Sequence, residues 1–294
     1  MPPAVLAGMR TTPWVAGLAV ASFVGVAGCQ VATQYTPRTP GKVALAIERG
    51  EVAIYKSGFR TPLSSATPAL LACSAPAGAT AAKAADDQSS YRSKSTVAGL
   101  LYAVGVFAPP ATIVGSIFAI QAANDQQDAR AGLIDAINQH NDDAACASHR
   151  STYARTSTVP RELIWAYDNR FQVTQDGHAV AGSGDWGGLS RAATCSAEAR
   201  AWADSAASRD TTGKALTWTG VAMMVGATIA GSVIMFSDTD DVDQILLGGG
   251  LMLGGVVVGA GVAGPGLYLR ASAETRAIDS VNRHNDELWS GRCR

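Results

Sequence analysis

The chain has 294 residues with 23 Lys plus Arg against 24 Asp plus Glu, and a formal net charge of −1 offers no electrostatic footprint for nucleic acid. Charged residues make up 16% of it, below the roughly 25% usual in soluble domains, while apolar residues stand at an ordinary 47%. The shortfall is local. Three windows, Ser95–Asn124, Ala215–Ser237 and Gln244–Leu269, hold no Asp, Glu, Lys or Arg over 30, 23 and 26 residues. The last two exceed the ~20 apolar residues that cross a bilayer. In the first, Pro109-Pro110 divides the window into two short arms, because a proline pair ends a helix more readily than it bends one.

In chain order, Arg10 and a short polar segment precede an apolar run starting near Trp14, which ends in the small residues Val26-Ala27-Gly28 before Cys29. That order is how an export signal is built. Val26-Ala27-Gly28-Cys29 resembles the lipobox of bacterial lipoproteins. The resemblance implies cleavage after residue 28 and a Cys29 carrying acyl chains such as palmitate at the head of the exported chain. Gln30 follows it, whereas lipoproteins kept at the inner membrane typically begin Cys-Asp, so the resemblance implies an outer-membrane destination.

The next segment reads as a β-hairpin, Val43–Ile47 and Val52–Tyr55 around Glu48-Arg-Gly-Glu51, and a second follows at Leu163–Tyr167 and Phe171–Thr174 around Asp168-Asn-Arg170. Both have the β-branched and aromatic enrichment of strands with turn residues between. Isolated hairpins are marginal, so the two are expected to pair into one small sheet. Each is followed by a long helical hairpin. The first runs out over about 74–107, turns at Pro109-Pro110 and returns over 111–146; the second runs out over 196–236, turns through Ser237–Asp243 and returns over 244–290.

An internal repeat organises these elements. Ile134-Asp-Ala-Ile-Asn-Gln-His-Asn-Asp-Asp143 aligns with Ile278-Asp-Ser-Val-Asn-Arg-His-Asn-Asp-Glu287, Cys73-Ser-Ala75 with Cys195-Ser-Ala197, and Gly58 with Gly177. The fold class expected is α+β, two tandem repeats of a β-hairpin head and a long antiparallel helical hairpin, the second hairpin transmembrane. The divisions are 1–28 signal peptide, 29–150 repeat one (head 40–72, hairpin 73–146), 151–160 Ser/Thr/Pro linker, and 161–294 repeat two (head 161–194, hairpin 195–293). The second hairpin is longer by about 11 residues per arm, or roughly 16 Å of helix.

Besides Cys29 the cysteines are Cys73, Cys146, Cys195 and Cys293, an even set in an exported, oxidising setting. Antiparallel arms of matched length bring their ends together, which favours Cys73–Cys146 and Cys195–Cys293; four free buried thiols are the alternative. No Cys-x-x-Cys spacing supports zinc. His140 and His284 hold equivalent places and offer a metal-binding alternative if the copies meet about a two-fold axis, but Asp135 and His140 are five apart, off one helical face. Packing of the helix against its head is the favoured reading, so no metal ligand and no cofactor is assigned. Gly182-Ser-Gly-Asp-Trp-Gly-Gly188 lacks the lysine of a phosphate loop and reads as a solvated loop. No hydrolase or protease motif appears, and the chain is read as no enzyme.

Trp218 opens the second window and Tyr268 closes the third, placing aromatics at one interface level. Gly250-x-x-x-Gly254 and Gly255-x-x-x-Gly259 supply small faces for close helix approach or for a homo-oligomer, and they resemble the glycine-zipper lipoproteins of bacterial envelopes. Arg209, Lys214, Arg270 and Arg276 flank the base of this hairpin, and Asp238, Asp240, Asp241 and Asp243 its tip. With a periplasmic, disulfide-bonded base, an inner-membrane hairpin would oppose the positive-inside bias, so the outer membrane is expected and the inner membrane is the alternative. The function expected is that of a lipid-anchored envelope scaffold, adaptor or assembly component whose partners are membrane lipid and an envelope protein, with no nucleic acid. A subunit of an oligomeric pore or secretion complex is the alternative, and a metal sensor using His140 and His284 a third.

Overall fold

The computed structural model describes residues 32–34, 42–105, 109–143, 146, 161–167, 170–237 and 242–293. The signal segment, Cys29, the 151–160 linker and Asp238, Asp240 and Asp241 lie outside them. The fold is mixed and mostly helical. Residues 42–146 run β1 (Val43–Glu48), β2 (Glu51–Lys56), β3 (Phe59–Pro62), α1 (Thr67–Leu70), α2 (Ala75–Gly105) and α3 (Pro109–Asp142). Residues 161–293 repeat the order as β4 (Leu163–Tyr167), β5 (Phe171–Gln175), β6 (His178–Gly182), α4 (Leu189–Ala192), α5 (Ala197–Ser237) and α6 (Val242–Trp289).

Two expectations about the heads need correction. Each head is a three-stranded antiparallel meander, β1-β2-β3 and β4-β5-β6, not a two-stranded hairpin. Ser57-Gly58 and Asp176-Gly177, with φ of 53° and 84° and of 51° and 80°, form tight turns that lead directly into β3 and β6. Two successive positive φ values match the right-handed twist of the flanking strands, which is why such turns reverse a strand. Among the described residues the heads also form two separate sheets and do not pair with each other. On β1 and β4, asparagine side chains take backbone groups of Val43 and Leu163 that a further strand would use.

The chain divides into two compact units, one containing residues 215–266 and the other containing residues 30–214 and 267–294. The larger unit has one core. Val43, Leu45, Ile47, Val52 and Ile54 from the first sheet and Leu163, Trp165, Phe171 and Val173 from the second are buried in it. The helices meet it with alanines at helical spacing: Ala77, Ala81 and Ala84 on α2, Ala199, Ala203 and Ala206 on α5, Ala273 and Ala277 on α6. Small side chains let the backbones close in: a Cβ added to Gly132 would stand 3.0 Å from the Cβ of Ala84. The Gly182–Gly188 stretch is less exposed than expected, because Trp186 is buried and stacks edge-on to Trp165 at 6.2 Å.

The smaller unit is a pair of helical segments from α5 and α6. Both parent helices are long and apolar enough to cross a membrane, with mean hydropathy of 1.8 and 2.1 in their most apolar windows. Ile229, Val233, Leu246 and Leu247 are exposed on it. Its interior is built from glycine. A Cβ on Gly255 would lie 1.9 Å from the Cβ of Ala227, one on Gly220 2.4 Å from the carbonyl of Gly259, and one on Gly231 2.5 Å from the carbonyl of Gly248. Gly250 and Gly254, by contrast, face open space, so the first of the two glycine pairs singled out in the sequence makes no contact within this hairpin. Pro265 sits inside α6, which runs on past it. Proline removes one backbone donor, a loss that membrane helices tolerate.

Candidate functional site

The repeated motif on α3 and α6 is where the two heads, the helix ends and the cysteines converge. Asn141 accepts from the Val43 amide at 3.0 Å and donates to its carbonyl at 2.8 Å. Asn285 does the same to Leu163, at 3.0 and 2.7 Å. Each primary amide thus stands in for a neighbouring strand along the edge of its own head. The first asparagine of each motif reaches the other head: Asn138 donates to the Trp165 carbonyl at 2.9 Å, and Asn282 to the Leu45 carbonyl at 2.8 Å. Further along β1, the Thr33 amide donates to the Ile47 carbonyl, and Asp279 accepts the Gln34 amide with both carboxylate oxygens at 2.9 Å. Asp279 is fully buried, whereas Asp135, at the same position of the aligned motif on α3, is exposed. Between the β1 and β4 edges lies a cavity of about 50 Å³ lined by Val43, Leu163, Asn138, Asn282, Asn285 and Trp289 among others. It has room for a water or two.

The cysteines pair within each half of the chain. Cys73 is bonded to Cys146 with Cα atoms 5.2 Å apart, and Cys195 to Cys293 at 4.8 Å. Each bond closes the root of a helical hairpin, and each is backed by the motif histidine. His140 is buried with its Nδ1 3.2 Å from Cys73 Sγ. His284 is fully buried, accepts the Cys195 amide on Nδ1 at 3.3 Å, and has Nε2 2.9 Å from the Arg161 carbonyl and 3.6 Å from Cys195 Sγ. An Nδ1 that accepts leaves the proton on Nε2, which donates to Arg161, so the ring is a neutral strut between the head and the clasp. Burial pushes its pKa down from the ordinary 6.5.

Chemically, this arrangement consists of two disulfides and the hydrogen bonds around them. The donor atoms of Cys73, His140 and Cys146 fall within 4.8 Å of one another, a spacing a metal ion could bridge. Yet both sulfurs are spent in a covalent bond, and a metal needs the thiolate. His284 has both ring nitrogens engaged by protein. The motif histidines therefore serve the clasps. Sequence reasoning singled out these histidines and cysteines but gave no task to Asn138, Asn141, Asn282 and Asn285. Their recurrence at the same positions of the two aligned motifs was the available signal.

Charged residues gather where each charge-free window begins. Lys94 pairs with Asp125 across the first hairpin at 2.8 Å, and Arg92 pairs with Glu51. At the second, Asp210 accepts Lys214 at 2.8 Å and lies 3.9 Å from Arg270, while Arg209 donates to Ser272 at 3.1 Å. Arg276 donates to Gln34. Deeper in the core, Glu274 accepts from Ser183 at 3.0 Å, and burial raises its pKa despite the nearby Arg130. Trp218 and Tyr268 are both exposed. Comparison of the chain with protein-family models, curated proteins and solved structures finds no match.

Proposed function

We propose that this protein is a lipid-anchored scaffold or adaptor of the bacterial cell envelope, held by an acylated Cys29 and by a membrane-spanning second hairpin. The observation that carries the reading is the pair α5 and α6, long and apolar enough to cross a bilayer, exposing Ile, Val and Leu outward while glycines fill the seam between them. Outward-facing apolar surface with small residues at the helix contact is what lipid surroundings favour. Tandem duplication of one unit is supported by the recurring element order and by asparagines with equivalent partners in both halves. Two disulfides at the hairpin roots favour an oxidising compartment for that end, hence a periplasmic base. The clasped, cross-linked base suits a part that transmits position, and the proposal gives it no catalytic role. The outer membrane is favoured by Gln30 after Cys29 and by basic residues at the base of the second hairpin.

Cys29→Ser separates the two attachments. Wild type is expected to sediment with outer-membrane fractions. The variant is expected to lose metabolic palmitate labelling yet stay in the carbonate-washed membrane pellet. Release of the variant into the soluble fraction would refute insertion of the hairpin. Palmitate retained by the variant would refute the lipid site.

A further inference from the structure

The first hairpin ends in an apolar tip that the scaffold reading leaves without a role. Its window, Ser95–Asn124, contains no ionisable side chain of Asp, Glu, Lys or Arg. Ala98 on α2 and Ala122 on α3 are buried, and Gly115 is packed against Leu101 across the seam. On α3, Ile113, Ile117 and Ile120 lie on the helical face opposite Ala122 and are 51–68% exposed. On α2, Leu100 and Val104 face away from the Ala98 side and are 64% and 54% exposed. The two arms are antiparallel neighbours, so their outward faces look in opposite directions. A soluble partner or a second copy seated on one side would leave the other wet.

Charge and length narrow the occupant further. Charges of both signs, Lys94 with Asp125 and Arg92 with Glu51, close the root of the tip at one level, and none lies beyond it. This complements a lipid leaflet, whose headgroups carry both signs and whose acyl region carries none. From Lys94 to the end of α2 and from the start of α3 to Asp125, the arms reach roughly 16–24 Å at 1.5 Å per residue. Half of a ~30 Å hydrocarbon core is ~15 Å, so the tip is too short to cross and long enough to fill one leaflet.

We propose that the apolar ends of α2, from Thr96, and of α3, up to Ala123, insert into a single lipid leaflet, giving the protein a half-depth membrane anchor in addition to the full-length hairpin. The proposal rests on the membrane reading above, and the experiment tells the two apart. Full-length protein with its native disulfides intact is placed in nanodiscs of phosphatidylcholine and phosphatidylglycerol, with a single nitroxide introduced at Ile113→Cys, Leu100→Cys or, as the reference, Ile229→Cys. Collision with oxygen, which concentrates in the bilayer, is compared with collision with a nickel chelate, which stays in water. The proposal expects labels at 100 and 113 to gain oxygen broadening and lose nickel broadening. Nickel access at 113 with oxygen access at 229 overturns the half-depth anchor and leaves the membrane reading standing. Nickel access at both sites overturns both. Protection of 113 from both reagents overturns the proposal in favour of a protein surface covering the tip. Ile113→Asp is a second arm: with the proposal, it draws the label at 100 back toward water while urea-induced release of the head tryptophans is unchanged.

Discussion

Asn285→Ala tests whether an asparagine amide really replaces a strand at the edge of β4. Leu163 is 1% exposed, and Asn285 supplies a partner to both its amide and its carbonyl. Removing the side chain strands two buried backbone groups, and each costs about 1–3 kcal/mol when left unmade. The adjoining cavity of about 50 Å³ lets water follow the lost amide, which argues for the lower part of the combined range. A local loss of about 2–3 kcal/mol corresponds to roughly 30- to 150-fold faster hydrogen exchange. The assay is amide exchange on the full chain in detergent, read at Leu163 and, as the control, at Ile54 in the other head. Asn282→Ala strands only the Leu45 carbonyl and should give a smaller change, felt first in β1. Exchange at Leu163 within about twofold of wild type would refute the argument, since a buried edge amide with no acceptor must open more easily. Equal acceleration at Leu163 and Ile54 would show global loosening, not an unsealed edge.

Further outcomes follow from other parts of the molecule. The disulfides close loops with sequence separations of 73 and 98, for which chain entropy gives about 4.4 and 4.7 kcal/mol, so Cys73→Ser/Cys146→Ser and Cys195→Ser/Cys293→Ser should lower the thermal midpoint by similar amounts. A clear difference between them would mean that one clasp constrains little in the unfolded chain. His284 has a depressed folded pKa, so its contribution to stability is full above the ordinary 6.5 and is lost as pH falls through the folded value. His284→Gln should therefore flatten the acid limb of a midpoint-against-pH curve, and an unchanged limb would contradict the assignment. Glu274 has a raised pKa, so its contribution is full at low pH and is lost as pH rises through the folded value. Glu274→Gln, which keeps an acceptor for Ser183, is expected to raise the midpoint at pH 8 more than at pH 5. In the second hairpin, Gly255→Val should part the helices and change gel mobility in detergent, whereas Gly254→Val, facing open space, should not.

The helical hairpins were legible because their signals are long. Charge-free windows and the Pro109-Pro110 break placed helix ends within a few residues of Ala75–Gly105 and Pro109–Asp142. The cysteine pairing was legible for the same reason: arms of matched length put their roots together. The third strands were harder to see, since Phe59–Pro62 carries only four residues and ends in proline, and His178–Gly182 is mostly small. Only the Ser57-Gly58 and Asp176-Gly177 turns announced them. The separation of the two sheets had no pattern in the strands at all. The amides that take the backbone groups of Val43 and Leu163 sit about 100 residues away on helices, and a side chain competing with a strand for a backbone edge leaves no periodic trace. The glycines at 220, 231, 248 and 255 were similarly ambiguous, because sequence gives their spacing and only packing gives their facing.

The crosswise grip of Asn138 and Asn282 has a mechanical consequence. Each return helix holds its own head through one amide and the opposite head through another, and each is riveted to its outgoing partner by sulfur. Tension applied to either helix is thereby shared between both sheets instead of peeling one away. A body harnessed in this manner behaves under load as a single fitting.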